Sequence, residues 1–320
     1  MKRFAFVLFG LMLWTSIASA QSYPSRVVTM VVPFPPGGSY DVVGRLIAQG
    51  LSERWKKQVI IENKGGVAGD IGAYRVATAA SDGYTLLLWG DGILINQALL
   101  SKRQFDATKS FEAVTLAARS PQLLVARKGL NINDLARLLQ VAKDNKTDVR
   151  FGTAGAGTPG HLAAELLAAK SQSALRHVPY RGGAPALTDL LAEQIELVST
   201  GLPALISSVR SGAVVPIAVS SEKRSPILPD VPSMNEIVPG VFLDTWYGIL
   251  APAGTPHDII AKISGDVSEV LKDANIRERL KEQGFEVVGS SPEELRSLMV
   301  RDLPRWKDIV ELARLKPADN

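Results

Sequence analysis

The sequence predicts an α/β protein of two lobes, each built on a parallel sheet with helices packed against it. A unit of apolar strand, glycine-rich turn and helix recurs along the chain, and this order is typical of βα repeats. About 300 residues follow a predicted signal segment, which is enough to bury the cores of two lobes. The chain contains no cysteine, so neither disulfides nor thiolate chemistry is expected.

The first 20 residues have the pattern of a secretory signal peptide. Lys2 and Arg3 precede an apolar run that ends at Trp14, and Ala18-Ser-Ala20 places small residues at the cleavage position. The apolar run is too short to span a membrane. We therefore expect cleavage near Ala20/Gln21 and export of the mature chain.

The charge pattern argues against a nucleic-acid partner. Two of the 36 Lys and Arg residues lie in the predicted signal, which leaves 34 basic against 32 acidic residues in the mature chain. These charges are interspersed, and aromatic residues make up only 6% of the sequence. Nucleic-acid binding needs a clustered basic surface, which this pattern does not predict.

The first βα unit predicts a place where an anion could bind. Residues 27–32 are apolar and rich in β-branched side chains, which favours a buried strand, and Pro33, Pro35 and Pro36 then force a turn. Gly37-Gly-Ser39 follows, with Ser39 as the predicted N-cap of a helix. Backbone N–H groups and the helix dipole would point at one spot, which suits an anion. The alternative is a tight βα turn without a ligand.

Two more units repeat this design. A strand at 58–61 leads into a loop containing Gly65, Gly66 and Gly69, and a strand at 84–89 ends in Gly90-Asp-Gly92. The carboxyl ends of parallel strands share one edge of the sheet, where ligands bind in such folds. We expect all three loops to be neighbours there.

The second lobe is predicted to start with a strand at 123–126, after Pro121. A helix at 132–143 and a strand at 149–151 follow, and a glycine-rich stretch then leads to a helix at 162–169. Thr158 and Pro159 fit the N-cap and first position of that helix, with His161 in its first turn. This is a second predicted anion site.

Residues 155–160 also satisfy the G-x-G-x-x-G dinucleotide pattern. The next strand, at 176–180, does not end in an acidic residue for a ribose hydroxyl, and an exported protein is a poor match for NAD. We expect no cofactor.

The remaining predicted elements are strands at 195–199, 214–220, 246–250 and 285–288, helices at 258–272 and 275–283, and a final helix capped at Ser291. Trp89 and Trp246 are expected in the core, and Asp41 is expected to interact with its helix dipole. Arg181 could pair with a carboxylate or cap backbone carbonyls. The three histidines are expected to lie far apart, without the spacing of a metal site.

The sequence contains no G-x-S-x-G and no H-E-x-x-H motif of a hydrolase. A catalytic triad of Ser39, His161 and Asp41 remains an alternative, because a triad is defined by the geometry of its residues and not by their order in the sequence.

Five stretches stand in the order found in one family of exported proteins. They are Val32-Pro-Phe-Pro-Pro-Gly-Gly-Ser-Tyr-Asp41 with Arg45, Glu62-Asn-Lys-Gly-Gly-Val-Ala-Gly-Asp-Ile-Gly72, Gly155-Ala-Gly-Thr-Pro-Gly-His-Leu162, His177-Val-Pro-Tyr-Arg-Gly182 and Trp246-Tyr-Gly-Ile-Leu-Ala-Pro-Ala-Gly-Thr-Pro256. Over essentially the whole mature chain, the sequence resembles the Bug family, the TctC-like periplasmic solute-binding proteins of tripartite tricarboxylate transporters.

The resemblance implies a two-lobed type-2 periplasmic binding fold, a ligand cleft between the lobes and no enzymatic activity. It places the first lobe at residues 21–122 and 247–320 and the second lobe at 123–246, with chain crossings near Pro121 and Trp246. It implies a small carboxylate ligand, delivery to the membrane subunits of the transporter, and a monomer. A ligand sensor for a signalling receptor is the alternative, because sensing and transport both use lobe closure.

Ligand-binding residues carried over from the family are Phe34, Gly37, Gly38, Ser39, Gly66, Ala68 and Asp91 in the first lobe, and Thr153, Gly157, Thr158 and His161 in the second. Thr200 stands where family members commonly carry an acidic or amide residue. Asp91 is also a departure from the usual small polar turn. If it faces the cleft, it would favour an amine or hydroxyl on the ligand over a second carboxylate.

Overall fold

A computed structural model describes residues 23–100, 103–144 and 148–312. The predicted signal peptide lies outside these described residues. Within them, no helix combines the length and the apolar character that crossing a membrane requires.

The first lobe begins with three βα units, as predicted. The elements are β1 (Val28–Val32), α1 (Ser39–Trp55), β2 (Val59–Asn63), α2 (Asp70–Ala77), β3 (Thr85–Gly90) and α3 (Gly92–Leu99). β1 lies between β2 and β3 and is parallel to both, with Thr29 opposite Ile60 on one side and Thr85 on the other. The three strand ends therefore share one edge of the sheet, which places their loops together.

The next strand, β4 (Phe111–Arg127), runs from the first lobe into the second. Its first part, up to Pro121, pairs antiparallel with a later strand of the first lobe, and from Gln122 onward it pairs with strands of the second. The sequence predicted a strand only from Leu123. Pro121 lies where β4 changes pairing partners, and the N–H that proline lacks is not needed there.

The second lobe has its own sheet. Its elements are α4 (Leu135–Lys143), β5 (Arg150–Thr153), α5 (Pro159–Ser171), β6 (Arg176–Pro179), α6 (Gly183–Leu191), β7 (Leu197–Gly201), α7 (Ile206–Arg210), β8 (Val214–Val219) and α8 (Met234–Ile237). β5 is parallel to β6 and β7, while β7 and β8 are antiparallel to β4.

The chain then returns to the first lobe. The last elements are β9 (Asp244–Pro252), α9 (His257–Lys272), α10 (Ala274–Glu282), β10 (Glu286–Val287) and α11 (Pro292–Leu312). β9 lies antiparallel between β3 and β4, and the strand order is β2-β1-β3-β9-β4-β7-β5-β6. β4 and β9 are thus the two strands at the crossings near Pro121 and Trp246. The residue limits of the lobes stay a prediction.

Buried apolar side chains fill the space between sheets and helices. Trp89, Trp246, Trp306 and Tyr247 are among the largest fully buried side chains of the main core cluster, which confirms the core positions predicted for Trp89 and Trp246. A smaller cluster in the second lobe includes Leu123, with neighbours from β7 and β8. Burial on this scale, at about 25 cal/mol per Å² of apolar surface, is the main source of stability for both lobes.

Candidate functional site

A small cavity lies between the lobes, beside the crossing strands. Its lining residues are Phe34, Pro35, Gly38, Ser39 and Tyr40 from the first lobe, Ala154, Thr158, Pro159, Gly183, Thr200 and Gly201 from the second, and Gln122, Thr245 and Tyr247 from β4 and β9. The lining includes no Asp, Glu, Lys, Arg or His. Its polar groups are hydroxyls, one amide and backbone.

The N-terminal ends of α1, α5 and α6 all line this cavity. Their N-cap residues are Gly38, Thr158 and Gly182, and none of the three supplies a side-chain hydrogen bond to its helix. By contrast, the N-cap side chains of α4 and α10, Asp134 and Asp273, each accept hydrogen bonds from helical N–H groups. Uncapped N–H groups and the positive ends of three helix dipoles therefore converge on one space, which attracts an anion.

The prediction that Ser39 caps α1 is wrong. Ser39 is the first helical residue, and Gly38, in an extended conformation, takes the N-cap position. The Ser39 hydroxyl is consequently not used by the backbone. It is buried and has no hydrogen-bond partner among the described residues, so it can bond to a ligand in the cavity.

The turn before α1 is held by a buried acid. Asp41 accepts hydrogen bonds from the Gly37 N–H (3.0 Å), Arg45 (2.9 Å) and Asn63 (3.0 Å), and Asn63 also donates to the Phe34 carbonyl. Burial alone would raise the pKa of Asp41, but the hydrogen bonds from Arg45, Gly37 and Asn63 outweigh it and lower the pKa. Asp41 therefore shapes the loop, in agreement with its predicted structural role.

Tyr40 and Tyr247 place their phenol groups at the first-lobe side of the cavity. Their ring centroids lie 4.8 Å apart, and the Tyr40 ring stacks on Phe34 at 5.1 Å. Burial, reinforced by the nearby Asp91 carboxyl, raises the pKa of Tyr40 well above the usual value of 10, and burial also raises the pKa of Tyr247, although the adjacent Ser39 hydroxyl opposes it. The phenols therefore keep their protons and stay donors. The Tyr40 hydroxyl has no partner among the described residues.

Polar side chains on the crossing strands and the second lobe complete the wall. The Gln122 amide donates to the Thr245 hydroxyl at 2.7 Å, which fixes its orientation. The Thr158 hydroxyl donates to the Gly155 carbonyl at 2.8 Å, so toward a ligand it can act as an acceptor. These neutral groups can bond to ligand hydroxyls as well as to carboxylate oxygens.

The second-lobe loop is supported from behind by residues that do not line the cavity. The Thr153 hydroxyl donates to the Gly155 carbonyl, accepts from its N–H and also contacts His177 Nε2 at 2.7 Å. His161 Nδ1 accepts the Gly157 N–H at 3.1 Å. Thr153, Gly157 and His161, predicted as ligand contacts, therefore hold the shape of the loop.

The prediction that the histidines lie far apart is wrong for one pair. The rings of His161 and His177 stack with centroids 3.8 Å apart. β5 and β6 are parallel neighbours with Phe151 opposite His177, and the first turn of α5 brings His161 over them. Within the described part of the chain, no group of three or more possible ligands could hold a metal ion.

Asp91, predicted in the cleft, does not line the cavity. It is 0% exposed at the start of α3, and both carboxylate oxygens lack a hydrogen-bond partner among the described residues. Burial, followed by the charge of Asp302, raises the pKa of Asp91 well above its usual value. The proposed preference of Asp91 for a ligand amine therefore loses its basis.

Three other predicted ligand contacts, Gly37, Gly66 and Ala68, do not line the cavity. A Cβ added at Gly37 would lie 4.0 Å from Ala184 Cβ in the second lobe, and one added at Gly155 would lie 3.8 Å from the Ala68 Cα. Gly66 precedes a 3₁₀ turn (Val67–Gly69) in the same loop as Ala68. Of the predicted site residues, the cavity lining brings together Phe34, Gly38, Ser39, Thr158 and Thr200.

Several lining residues were missed by sequence reasoning, among them Tyr40, Gln122, Gly183, Thr245 and Tyr247. Gln122 and Thr245 carried a usable signal, because each is a polar residue in an otherwise apolar strand at a predicted crossing. Gly183 belongs to a Gly-Gly-Ala-Pro turn whose resemblance to the other glycine turns could have marked a third helix start.

The lobes are in contact across the cavity. A Cβ added at Gly201 would lie 2.2 Å from Ser39 Oγ, and one added at Gly182 would lie 2.7 Å from Pro35 Cδ. Glycine is needed at both places because any side chain would collide with the opposite lobe. This is a closed arrangement, and it leaves Ser39 and Thr200 buried.

The described contacts do not join Ser39, His161 and Asp41 into a catalytic set. The Ser39 hydroxyl has no hydrogen-bond partner among the residues that the structure describes, His161 Nδ1 accepts from the Gly157 N–H, and Asp41 bonds to Arg45, Gly37 and Asn63. A triad requires the nucleophile to be hydrogen-bonded to its base.

Comparison with known proteins agrees with this geometry. Residues 43–315 match the family model described as "Tripartite tricarboxylate transporter family receptor". The "UPF0065 protein in tcbD-tcbE intergenic region" of a Pseudomonas species is 35% identical over 311 residues, which span 96% of this chain and 93% of that protein.

Three solved structures are similar in sequence and fold. The periplasmic binding protein BugD is 34% identical, with a TM-score of 0.88 and coverage of 92% of this chain and 99% of the other. An R. palustris protein solved with adipate is 33% identical, with a TM-score of 0.89 and coverage of 92% and 99%. MatC from Rhodopseudomonas palustris, solved with bound malate, is 33% identical, with a TM-score of 0.85 and coverage of 90% and 100%.

Proposed function

The chain belongs to the tripartite tricarboxylate transporter receptor family, and on that premise we propose that it captures a small dicarboxylate between its lobes and delivers it to such a transporter. The similar protein BugD is a periplasmic binding protein, which supports a periplasmic location for the mature chain. Its task there is binding without chemical change of the ligand. The membrane subunits of the transporter are the proposed partners.

The convergence of three helix N-termini on one cavity is the observation that carries this proposal. The ends of α1 and of α5 and α6 face each other across the lobes, and together they can accept a carboxylate on each side without any charged side chain. Neutral donors also release an anion more readily than a bidentate arginine would, which suits delivery to a second protein.

The ligand class follows from the lining and from the similar structures. Malate and adipate, each with a carboxylate at both ends, occupy two proteins about one-third identical to this chain. Hydroxyls of Ser39, Tyr40, Thr158 and Thr200 offer additional bonds along the ligand. With no acidic side chain in the lining, an amino group on the ligand would find no counter-charge.

A thermal-shift screen tests this proposal. The mature protein, unfolded and refolded to remove any bound compound, is heated with malate, adipate, citrate and matched diamines. A ligand at 100 times its dissociation constant stabilises a protein by about 2.7 kcal/mol. For a chain of this size we expect a dicarboxylate to raise the melting temperature by several degrees and the diamines to leave it unchanged.

Two glycine variants show whether the shift comes from the cavity. In Gly201→Val, the new side chain would fill the cavity and collide with Ser39 Oγ, so the carboxylate-dependent shift should disappear. Gly265→Ala is the matched control, because a Cβ there has nothing within 4 Å. If no carboxylate stabilises the refolded protein, or if Gly201→Val keeps the full shift, the proposal is wrong.

A further inference from the structure

A second, larger concavity lies beside the same crossing strands and is not part of the ligand cavity. It is much roomier than the ligand cavity. Residues 119–121 of β4 form one side of it. Residues 221–227, which follow β8, and residues of α10 and β10 form the others. We call this concavity the hinge groove.

The hinge groove is strongly basic. Five basic side chains line it, against two acidic ones. The basic residues are Arg119, Lys223, Arg224, Arg277 and Lys281, and the acidic residues are Glu222 and Glu286. Such an excess is unusual for this chain, whose basic and acidic residues nearly balance overall. The local charge therefore reflects placement and not composition.

Most of these cations are not neutralised within the described structure. Arg224 forms an ion pair with Glu236 at 2.7 Å, but Arg119, Lys223, Arg277 and Lys281 form no ion pair with a described residue. Glu286 lies opposite Arg119 in the β10–β4 pairing without forming an ion pair. Even with Glu222 and Glu286 in the same lining, these four cations leave a positive excess, and the low-dielectric walls of a concave surface focus its field.

The groove is built from both lobes. Lys223 and Arg224 follow a strand of the second lobe, whereas Arg277 and Lys281 lie one turn apart on α10 of the first. β4 connects the groove to the ligand cavity, since residues 119–121 line the former and Gln122 lines the latter. Rotation of one lobe against the other therefore changes the distance between the two basic walls.

We propose that the hinge groove docks an acidic peptide segment of the membrane partner. This inference rests on the proposed function for the identity of the partner. The volume exceeds what one small anion needs, and a concave wall fits a protruding segment better than a flat membrane surface. A partner that binds groove walls from both lobes is thereby coupled to the angle between the lobes and, through β4, to the ligand cavity.

The test uses a fluorescent peptide of six glutamates and measures its anisotropy with the full mature protein near 0.15 M salt, where surface charges more than about 8 Å apart are largely screened. Arg277→Glu/Lys281→Glu reverses two charges in the groove. Lys57→Glu/Lys307→Glu makes the same change in net charge at exposed positions elsewhere. We expect the groove variant to bind the peptide at least about tenfold more weakly and the control to match the wild type.

Equal weakening in both double variants would show general charge attraction and overturn the proposal. Competition by free glutamate at the same residue concentration would overturn it in favour of a small-anion site, and absence of peptide binding to the wild type would also contradict it. If the glutamate substitutions impair folding, Arg277→Gln/Lys281→Gln should show a smaller loss in the same direction. Carboxylate-induced thermal shifts should persist in the groove variants, so failure of docking is distinguishable from failure of the proposed function.

Discussion

The stacked pair of histidines shows how single residues hold the second-lobe loop in shape. His161 accepts the N–H of Gly157, while His177 contacts the Thr153 hydroxyl that bonds to both backbone groups of Gly155. These bonds fix the backbone immediately before Thr158, at the edge of the cavity. The loop is therefore preorganised by side chains that do not line the cavity, which lowers the entropy lost when a ligand binds.

The same pair makes stability depend on pH. Burial and the adjacent His161 lower the pKa of His177 from 6.5 to about 3. Below pH 6.5 the unfolded chain takes up a proton at this residue and the folded chain does not. As the pH is lowered from 6.5 to 3, the free energy of unfolding should therefore fall by up to about 1.4 kcal/mol for each pH unit. Above pH 6.5 His177 is neutral in both the folded and the unfolded chain, so it causes no pH dependence there.

Urea denaturation at pH 7.5 and 5.5 measures this effect. His177→Gln should lose less stability than the wild type between these pH values, whereas His257→Gln, at an exposed position, should behave as the wild type. An identical pH dependence in the wild type and His177→Gln would show that His177 is not the group responsible.

For individual residues of the site, the sequence predicted the residue types better than their roles. Glycines and hydroxyls near the strand ends were expected at the site, and Gly38, Ser39, Thr158 and Thr200 line it. The roles of Asp91 and His161 depended on which way each side chain points and what covers it. Both follow from packing between elements distant in the sequence, which no local pattern records.

The arrangement of helices carries both the binding site and the rigidity of the first lobe. α1 presents its N-terminus to the cavity, and its opposite end packs on α9 and α10 through Gly50. A Cβ at Gly50 would lie 2.4 Å from Val270 Cγ1 and 2.7 Å from Ile276 Cδ1. Close approach of these helices at this glycine fixes the direction in which α1 points its dipole.

Two helical glycines therefore have opposite predicted responses to the same substitution. In Gly50→Ala, overpacking against the stiff Val270 should cost about 1–3 kcal/mol and outweigh the helix propensity of alanine. Gly265→Ala, in α9 with open space around it, should stabilise by about 0.5–1 kcal/mol. Chemical denaturation of both variants measures the difference, and stabilisation by Gly50→Ala would contradict the packing described.

Helices and strands were largely predictable from the sequence because each βα unit repeats a local pattern. The three units of the first lobe and the capped α11 are confirmed, and Ser291 and Glu294 form the expected reciprocal bonds. The first half of β4 was missed, because a proline such as Pro121 normally marks the end of a strand in a sequence. Only the change of pairing partners along β4 shows why the proline is tolerated.

The whole molecule combines two lobes that share two strands, and its closed arrangement determines how a ligand can enter. The cavity is bounded on both sides, Ser39 and Thr200 are buried, and the lobes touch at Gly201 and Gly182. We expect the lobes to separate before a dicarboxylate settles against the three helix ends. Binding should therefore shift a population of open molecules toward the closed form.

Solution X-ray scattering of the refolded, ligand-free mature protein, with and without the dicarboxylate that gives the largest thermal shift, tests this account most directly. We predict a smaller radius of gyration with the ligand, and no contraction in Gly201→Val, whose side chain would meet Ser39 before the lobes close. Superimposable wild-type profiles in the two conditions would contradict capture by closure of the lobes around a carboxylate.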